Sequence, residues 1–223
     1  MASTRLFAIA LLALGPILAL GAERMVSLEG QADLRVWVFS PRDAGVGPWP
    51  LAVMIPAGSG QEPAKAQFWL GREMTKRGWV VAVPGSPEGL SFVGDSENNI
   101  SQVIAELQKE QSIKAGKTLL LGVSSGGSSA LEIASKNPTG YYGVVAVPGL
   151  IKQSGPLPAL EGLPIFLRVA QKDFLRWHRQ MPDMTQRLES AGARLDAALV
   201  PDARHIIKVD LNELDRWLNT LDQ

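Results

Sequence analysis

No cysteine occurs anywhere in the chain. That absence excludes disulfides, thiolate metal sites, a cysteine nucleophile and a lipid-modified cysteine anchor. Histidine is nearly as scarce, with two copies in 223 residues. They lie far apart and form no H-E-x-x-H, so no metal and no cofactor is expected. An excess of one charge is also missing: 22 lysines and arginines face 22 aspartates and glutamates, with no basic run. Nucleic acid is therefore not an expected partner. The phosphate-binding pattern G-x-x-x-x-G-K-[ST] is absent. Gly58 and Gly60 begin a G-x-G, but Pro63 stands where a dinucleotide fingerprint needs its third glycine.

What is present suits one globular domain with a substantial core: 46% hydrophobic and 20% charged residues. The one long apolar run lies at the start. Arg5 precedes Leu6 to Leu20, which is broken only by Gly15 and Pro16, and small residues Ala19, Gly21 and Ala22 close it. A positive charge, a short apolar stretch and small residues at the cut are the parts of a signal peptide. The run is short of the roughly 20 apolar residues of a spanning helix, though an uncleaved anchor is the alternative. The expectation is export to the periplasm or medium, with residues 1–22 removed, no stable membrane insertion afterwards, and one domain over 23–223.

Beyond Ala22 the chain alternates extended and helical patterns. Val26–Glu29 and Leu34–Phe39, around Gly30 and Gln31, form a candidate antiparallel hairpin. Leu51–Ile55, Trp79–Val83, Thr118–Gly122, Gly143–Val147, Ile165–Ala170 and Arg194–Val200 are candidate strands, the first few of the continuously apolar kind buried on both faces. Helices are expected over Pro63–Lys76, Asn98–Glu110, Ser125–Lys136, a region ending at Ala191 that Pro182 should kink or divide, and Val209–Leu221. Two antiparallel strands followed by strand–helix alternation imply a mostly parallel sheet covered on both faces. Right-handed crossovers then gather the strand-to-helix loops along one edge. Pro148–Pro164 is the one stretch that could form a small lid.

Gly122-Val123-Ser124-Ser125-Gly126 fits G-x-S-x-G. The pattern is common by chance, and its context gives it weight: an apolar strand ends directly before it and a helix starts directly after it. On so sharp a turn, flanking glycines remove the side chains that would clash, and the serine hydroxyl stands above the sheet edge. A plain helix N-cap is the rival role for Ser124. A hydroxyl needs a base to become a nucleophile. His205 lies in the polar loop after the last strand, on the expected edge; His178 lies within a helical region and reads as a partly exposed helix residue. A carboxylate must hold the imidazole's tautomer. Asp173 follows the strand Ile165–Ala170 on the same edge, with an N-cap as its alternative role, while Asp202 and Asp196 are too close to His205 in sequence to reach its far nitrogen easily.

The order Ser124, Asp173, His205 is the nucleophile–acid–histidine order of the α/β-hydrolases. From Leu51 onward the sequence resembles that family, and most of all its compact esterase and dienelactone-hydrolase branch. The resemblance implies a three-layer α/β-hydrolase fold with little or no lid and a Ser-His-Asp triad that cleaves a carboxylic ester of a small molecule. It also implies an oxyanion hole from the amide after the nucleophile, Ser125, and an amide of the loop after the first parallel strand, Pro56-Ala57-Gly58-Ser59-Gly60. Pro56 and Ala57 depart from the H-G-G-G of many relatives, which leaves Gly58 and Ser59 both open as the donor. An acyltransferase with the same triad and a non-catalytic binding protein are the other readings. Phe68, Trp69, Phe92 and Trp177 are candidates for core or for a substrate pocket.

Overall fold

The computed structural model describes residues 21–30, 32–41, 46–57, 68–85, 92, 97–151 and 155–222. The expected signal segment lies outside these residues up to position 20. Among them one sheet holds eight strands: β1 (Ala22–Val26), β2 (Leu34–Phe39), β3 (Leu51–Ile55), β4 (Val80–Pro84), β5 (Thr118–Gly122), β6 (Tyr141–Ala146), β7 (Pro164–Ala170) and β8 (Arg194–Val200). Their spatial order is β1-β2-β4-β3-β5-β6-β7-β8. β1 and β2 pair antiparallel, as do β2 and β4, and the other pairings are parallel.

Five α-helices flank the sheet among the described residues: α1 (Phe68–Lys76), α2 (Glu97–Leu107), α3 (Ser125–Lys136), α4 (Met181–Ser190) and α5 (Leu211–Leu218). The strands alternate their side chains between two cores. Leu51, Val53 and Ile55 of β3 pack with Ile100, Val103 and Leu107 of α2, Leu131 of α3 and Leu188 of α4. Ala52 and Met54 of the same strand pack with Leu70 and Met74 of α1 and with Leu214 and Trp217 of α5. Every residue of β3, β4 and β5 is buried, as their unbroken apolar sequences require. This is the three-layer α/β-hydrolase architecture, with its antiparallel N-terminal hairpin.

The strand order positions the site. From β3 the chain moves to β4 on one side, then returns past β3 to β5 on the other. The strand order reverses at β3, and the carboxyl ends of the strands at such a switch point are where open α/β sheets bind ligands. Ser124 follows β5 at this point.

Several boundaries differ from the sequence expectation. The first strand is Ala22–Val26 rather than Val26–Glu29, because Leu34 pairs with Val26 and the connecting loop takes up the residues between. Pro182 marks the division expected of its region: it opens α4 in the first turn, where its missing N–H costs nothing. The stretch before it makes only a 3₁₀ turn, Trp177–Arg179. The last helix starts at Leu211, because the Asp210 carboxylate accepts hydrogen bonds from the Asn212 and Glu213 amides (2.8 and 3.4 Å) and caps it. The first part of the helix expected from Pro63 lies outside the described residues. Pro148–Pro164 does not form a detached lid over the residues described there: Leu150, Ile151, Leu160 and Leu163 are buried in the core beside α4. The Leu160 and Gly162 amides donate to the Ala191 and Gly192 carbonyls. No described helix is long and apolar enough to cross a membrane.

Candidate active site

β5 delivers Ser124 in a backbone conformation that few non-glycine residues adopt, φ 56° and ψ −122°. Such a geometry costs of order 1–3 kcal/mol and persists only where the surroundings impose it. Here glycines make room for it. A Cβ at Gly122 would stand 2.2 Å from the Gly126 carbonyl oxygen, one at Gly126 2.1 Å from the Ile55 oxygen, and one at Gly127 2.2 Å from the Pro148 oxygen. The first turn of α3 is thus pressed directly against the backbone of β3 and of the loop after β6. The Ser128 hydroxyl adds a tie by accepting from the Leu150 amide at 3.0 Å.

The Ser124 side chain makes no cap to its own helix. Its Oγ lies 2.7 Å from His205 Nε2. His205 Nδ1 lies 2.8 Å from Asp173 Oδ2. The other Asp173 oxygen, Oδ1, accepts the Leu175 amide at 2.7 Å. An ionised carboxylate can only accept, so His205 carries its proton on Nδ1 and presents a lone pair from Nε2 to the serine hydroxyl. The Asp173 side chain has no solvent exposure and His205 has 7%. Asp173 is not a helix cap, since the following 3₁₀ turn begins beyond Arg176.

Three loops meet to build this. β7 ends at Ala170 and the Lys172 amide donates to the Ala203 carbonyl at 2.9 Å, which fastens the acid's loop to the histidine's loop. Two rings then hold the imidazole edge-on: Trp177 with centroids 5.1 Å apart and Phe174 at 5.2 Å. Trp177 is buried, whereas Phe174 is 75% exposed. In the sequence, Phe174 is marked only by being an aromatic residue directly after the candidate acid. His178, the other histidine, lies in the 3₁₀ turn and takes no part in this relay. Phe92 is core rather than pocket, at 1% exposure.

Ser125, expected to donate to an oxyanion, is the first residue of α3 and stands next to Ser124. Gly58 and Ser59 lie outside the described residues, as does the Phe68 side chain. Among the described residues no cluster of His, Asp or Glu side chains could hold a metal ion.

Residues 84–221 match a protein family described as phospholipase/carboxylesterase. A putative dienelactone hydrolase from Klebsiella pneumoniae subsp. pneumoniae MGH 78578 has a similar structure, with a TM-score of 0.70 at 19% identity over 89% of this chain and 95% of that one. A phospholipase/carboxylesterase from Dyadobacter fermentans DSM 18053 is similar at a TM-score of 0.61 and 18% identity, over 83% of this chain and 94% of that one. The Porphyromonas gingivalis dipeptidyl peptidase 4 is similar at a TM-score of 0.70 and 14% identity over 90% of this chain, which spans only 35% of that enzyme's length. Such identities speak to the fold. No curated protein matches the sequence.

Proposed function

The chain belongs to the phospholipase/carboxylesterase family, and we propose that it is an exported serine hydrolase that cleaves carboxylic esters through an acyl-enzyme. The observation that carries this reading is the continuous relay from Ser124 Oγ through His205 to Asp173. As the ester carbonyl arrives, His205 Nε2 takes the serine proton and Ser124 Oγ bonds to the carbonyl carbon. The new imidazolium is held by the Asp173 carboxylate, which is itself kept in place by the Leu175 amide. Charge on the carbonyl oxygen is met by the Ser125 amide at the α3 N-terminus and by an amide of the loop after β3, at Gly58 or Ser59. His205 then gives its proton to the departing alcohol. Water attacks the acyl-serine by the same route in reverse and frees the acid.

Export rests on the apolar run Leu6–Leu20. Cleavage after Ala22 removes one residue from β1 and leaves Glu23, Arg24, Met25 and Val26 paired with β2. Sequencing the N-terminus of protein recovered from the cell envelope or medium tests it: a start at Glu23 is expected, and an intact Met1 contradicts it.

The activity is tested with p-nitrophenyl esters of increasing chain length and a fluorophosphonate probe. Wild type should hydrolyse at least one ester and lose activity on labelling. Ser124→Ala should lose about six decades in turnover, and labelling with it. A Ser124→Ala protein that keeps turning over, or a wild type that binds esters without cleaving them, overturns the assignment.

A further inference from the structure

The loops that carry the acid and the histidine are unusual on their outer side. Phe174 is 75%, Ile206 64% and Leu175 44% exposed. They adjoin the relay directly: Phe174 lies against the His205 ring, Ile206 follows His205, and Leu175 binds Asp173 through its amide. Large exposed apolar side chains scattered singly mean little, but three beside one site mark an interaction surface.

The same two loops are basic. Lys172, Arg176, Arg179, Arg204 and Lys208 are all exposed, in a chain whose formal net charge is zero. Lys172 is paired with Asp202 at 2.7 Å. Among the described residues none of Arg176, Arg179, Arg204 and Lys208 has a carboxylate within ion-pair distance. The acids of these loops are engaged inward or elsewhere: Asp173 by His205, Asp202 by Lys172 and Asp210 by the start of α5.

Exposed apolar side chains on the same two loops as cations with no carboxylate partner among the described residues fit a surface that is anionic at its face and apolar just beneath. We propose that this rim docks the enzyme, peripherally and reversibly, on an anionic lipid bilayer, with the mouth of the Ser124 site turned toward the lipid. Phe174, Leu175 and Ile206 enter the region between headgroups and acyl chains, and the cations pair with lipid phosphates. A second protein copy is disfavoured as occupant, because facing two identical rims would oppose like charges. The docking stands on the rim alone; only the statement that the site meets ester bonds there rests on the esterase reading.

The test is co-sedimentation of the full chain with vesicles of phosphatidylcholine alone or mixed equally with phosphatidylglycerol, at low and high sodium chloride. Binding should appear only with the anionic vesicles and fade with salt. A triple variant, Arg179→Gln, Arg204→Gln and Lys208→Gln, should lower the partition coefficient on the order of a hundred-fold, about five-fold per charge. Ile206→Ser should lower it about ten-fold or more. Hydrolysis of p-nitrophenyl acetate by the triple variant should stay within about two-fold of wild type. The proposal fails if wild type ignores anionic vesicles at low salt, or if binding is indifferent to lipid charge. It fails equally if Ile206→Ser only raises KM for a soluble long-chain ester, which would make the rim an acyl subsite, or if it abolishes a concentration-dependent dimer. The salt and lipid series on wild type decides the matter even if a variant does not fold. A wild type that binds vesicles but cleaves no ester would sink the esterase reading and leave the docking standing.

Discussion

Replacing Gly126 by alanine probes the machinery without touching a reacting group. The added Cβ would stand 2.1 Å from the Ile55 carbonyl oxygen and 2.8 Å from that of Pro56. Both are backbone atoms at the end of a fully buried central strand, so neither can swing aside. Reaching an ordinary contact of 3.4 Å requires α3 to withdraw by about 1.3 Å. The first consequence is thermodynamic: overpacking of this kind costs about 1–3 kcal/mol, and two backbone obstacles put the expected value near 3. For a domain of this size that lowers Tm by roughly 6–12 °C. The second is kinetic. Ser124 precedes α3 directly, and its 2.7 Å link to His205 lengthens with the helix. A displacement of about 1 Å at a reacting atom costs about a hundred-fold in kcat. Urea or thermal unfolding, paired with kcat on a p-nitrophenyl ester, reads both effects. Gly140→Ala is the control, since its Cβ meets only the end of the Asn137 side chain, and it should change both quantities little. If Gly126→Ala unfolds and turns over as wild type does, the tight seating of α3 on β3 does not govern the site.

Asp173→Asn should leave the fold intact yet lower kcat by about four decades, because an amide no longer selects the tautomer that points a lone pair at Ser124; circular dichroism and ester kinetics check both halves. Ser124→Gly should be more stable than Ser124→Ala by about 1 kcal/mol or more in denaturant unfolding, since only glycine relaxes the positive φ while both lose the hydroxyl. The Arg77 clamp between α1 and α5 gives a pH dependence. Hydrogen bonding from Arg77 holds the Asp215 carboxyl below its ordinary pKa, and hydrogen bonding from Lys76 does the same for Glu73. Carboxyls depressed by folding stabilise above their unfolded pKa, and the effect is lost as pH falls through the lower folded value. Because the pair is partly exposed, Asp215→Asn should cost only about 0.2–1 kcal/mol near neutrality, and the gap from wild type should close below the usual carboxylate range. A gap that stays unchanged at pH values well below that range would contradict the assignment.

The buried parallel strands were legible because their sequences leave no alternative. Leu51–Ile55 and Thr118–Gly122 occupy the expected residues, bounded by turn-forming neighbours. β1 was not, since Val26–Glu29 has the residues of a strand and only the pairing with β2 decides where the ladder runs. The start of the last helix was misplaced because a cap, Asp210, sets it, whereas the division of the region before α4 was legible from Pro182. At the site, the residue types and chain order of Ser124, Asp173 and His205 could be read, and the structure brings the three together. The backbone strain at Ser124 could not, because it arises from how closely α3 approaches β3 and the loop after β6. Nor could the exposure of Phe174 and Ile206, which depends on which side of each loop faces the body. Gly58 and Ser59 lie outside the described residues, and their part in the site stands as proposed.

The most direct test is to trap the intermediate. Enzyme mixed with p-nitrophenyl acetate, quenched in acid within the first turnover and digested, should carry one acetyl group on the peptide containing Ser124, matched by a stoichiometric burst of p-nitrophenol. An acetyl group on another residue, or hydrolysis that proceeds at the wild-type rate with Ser124 replaced by alanine, would contradict the account.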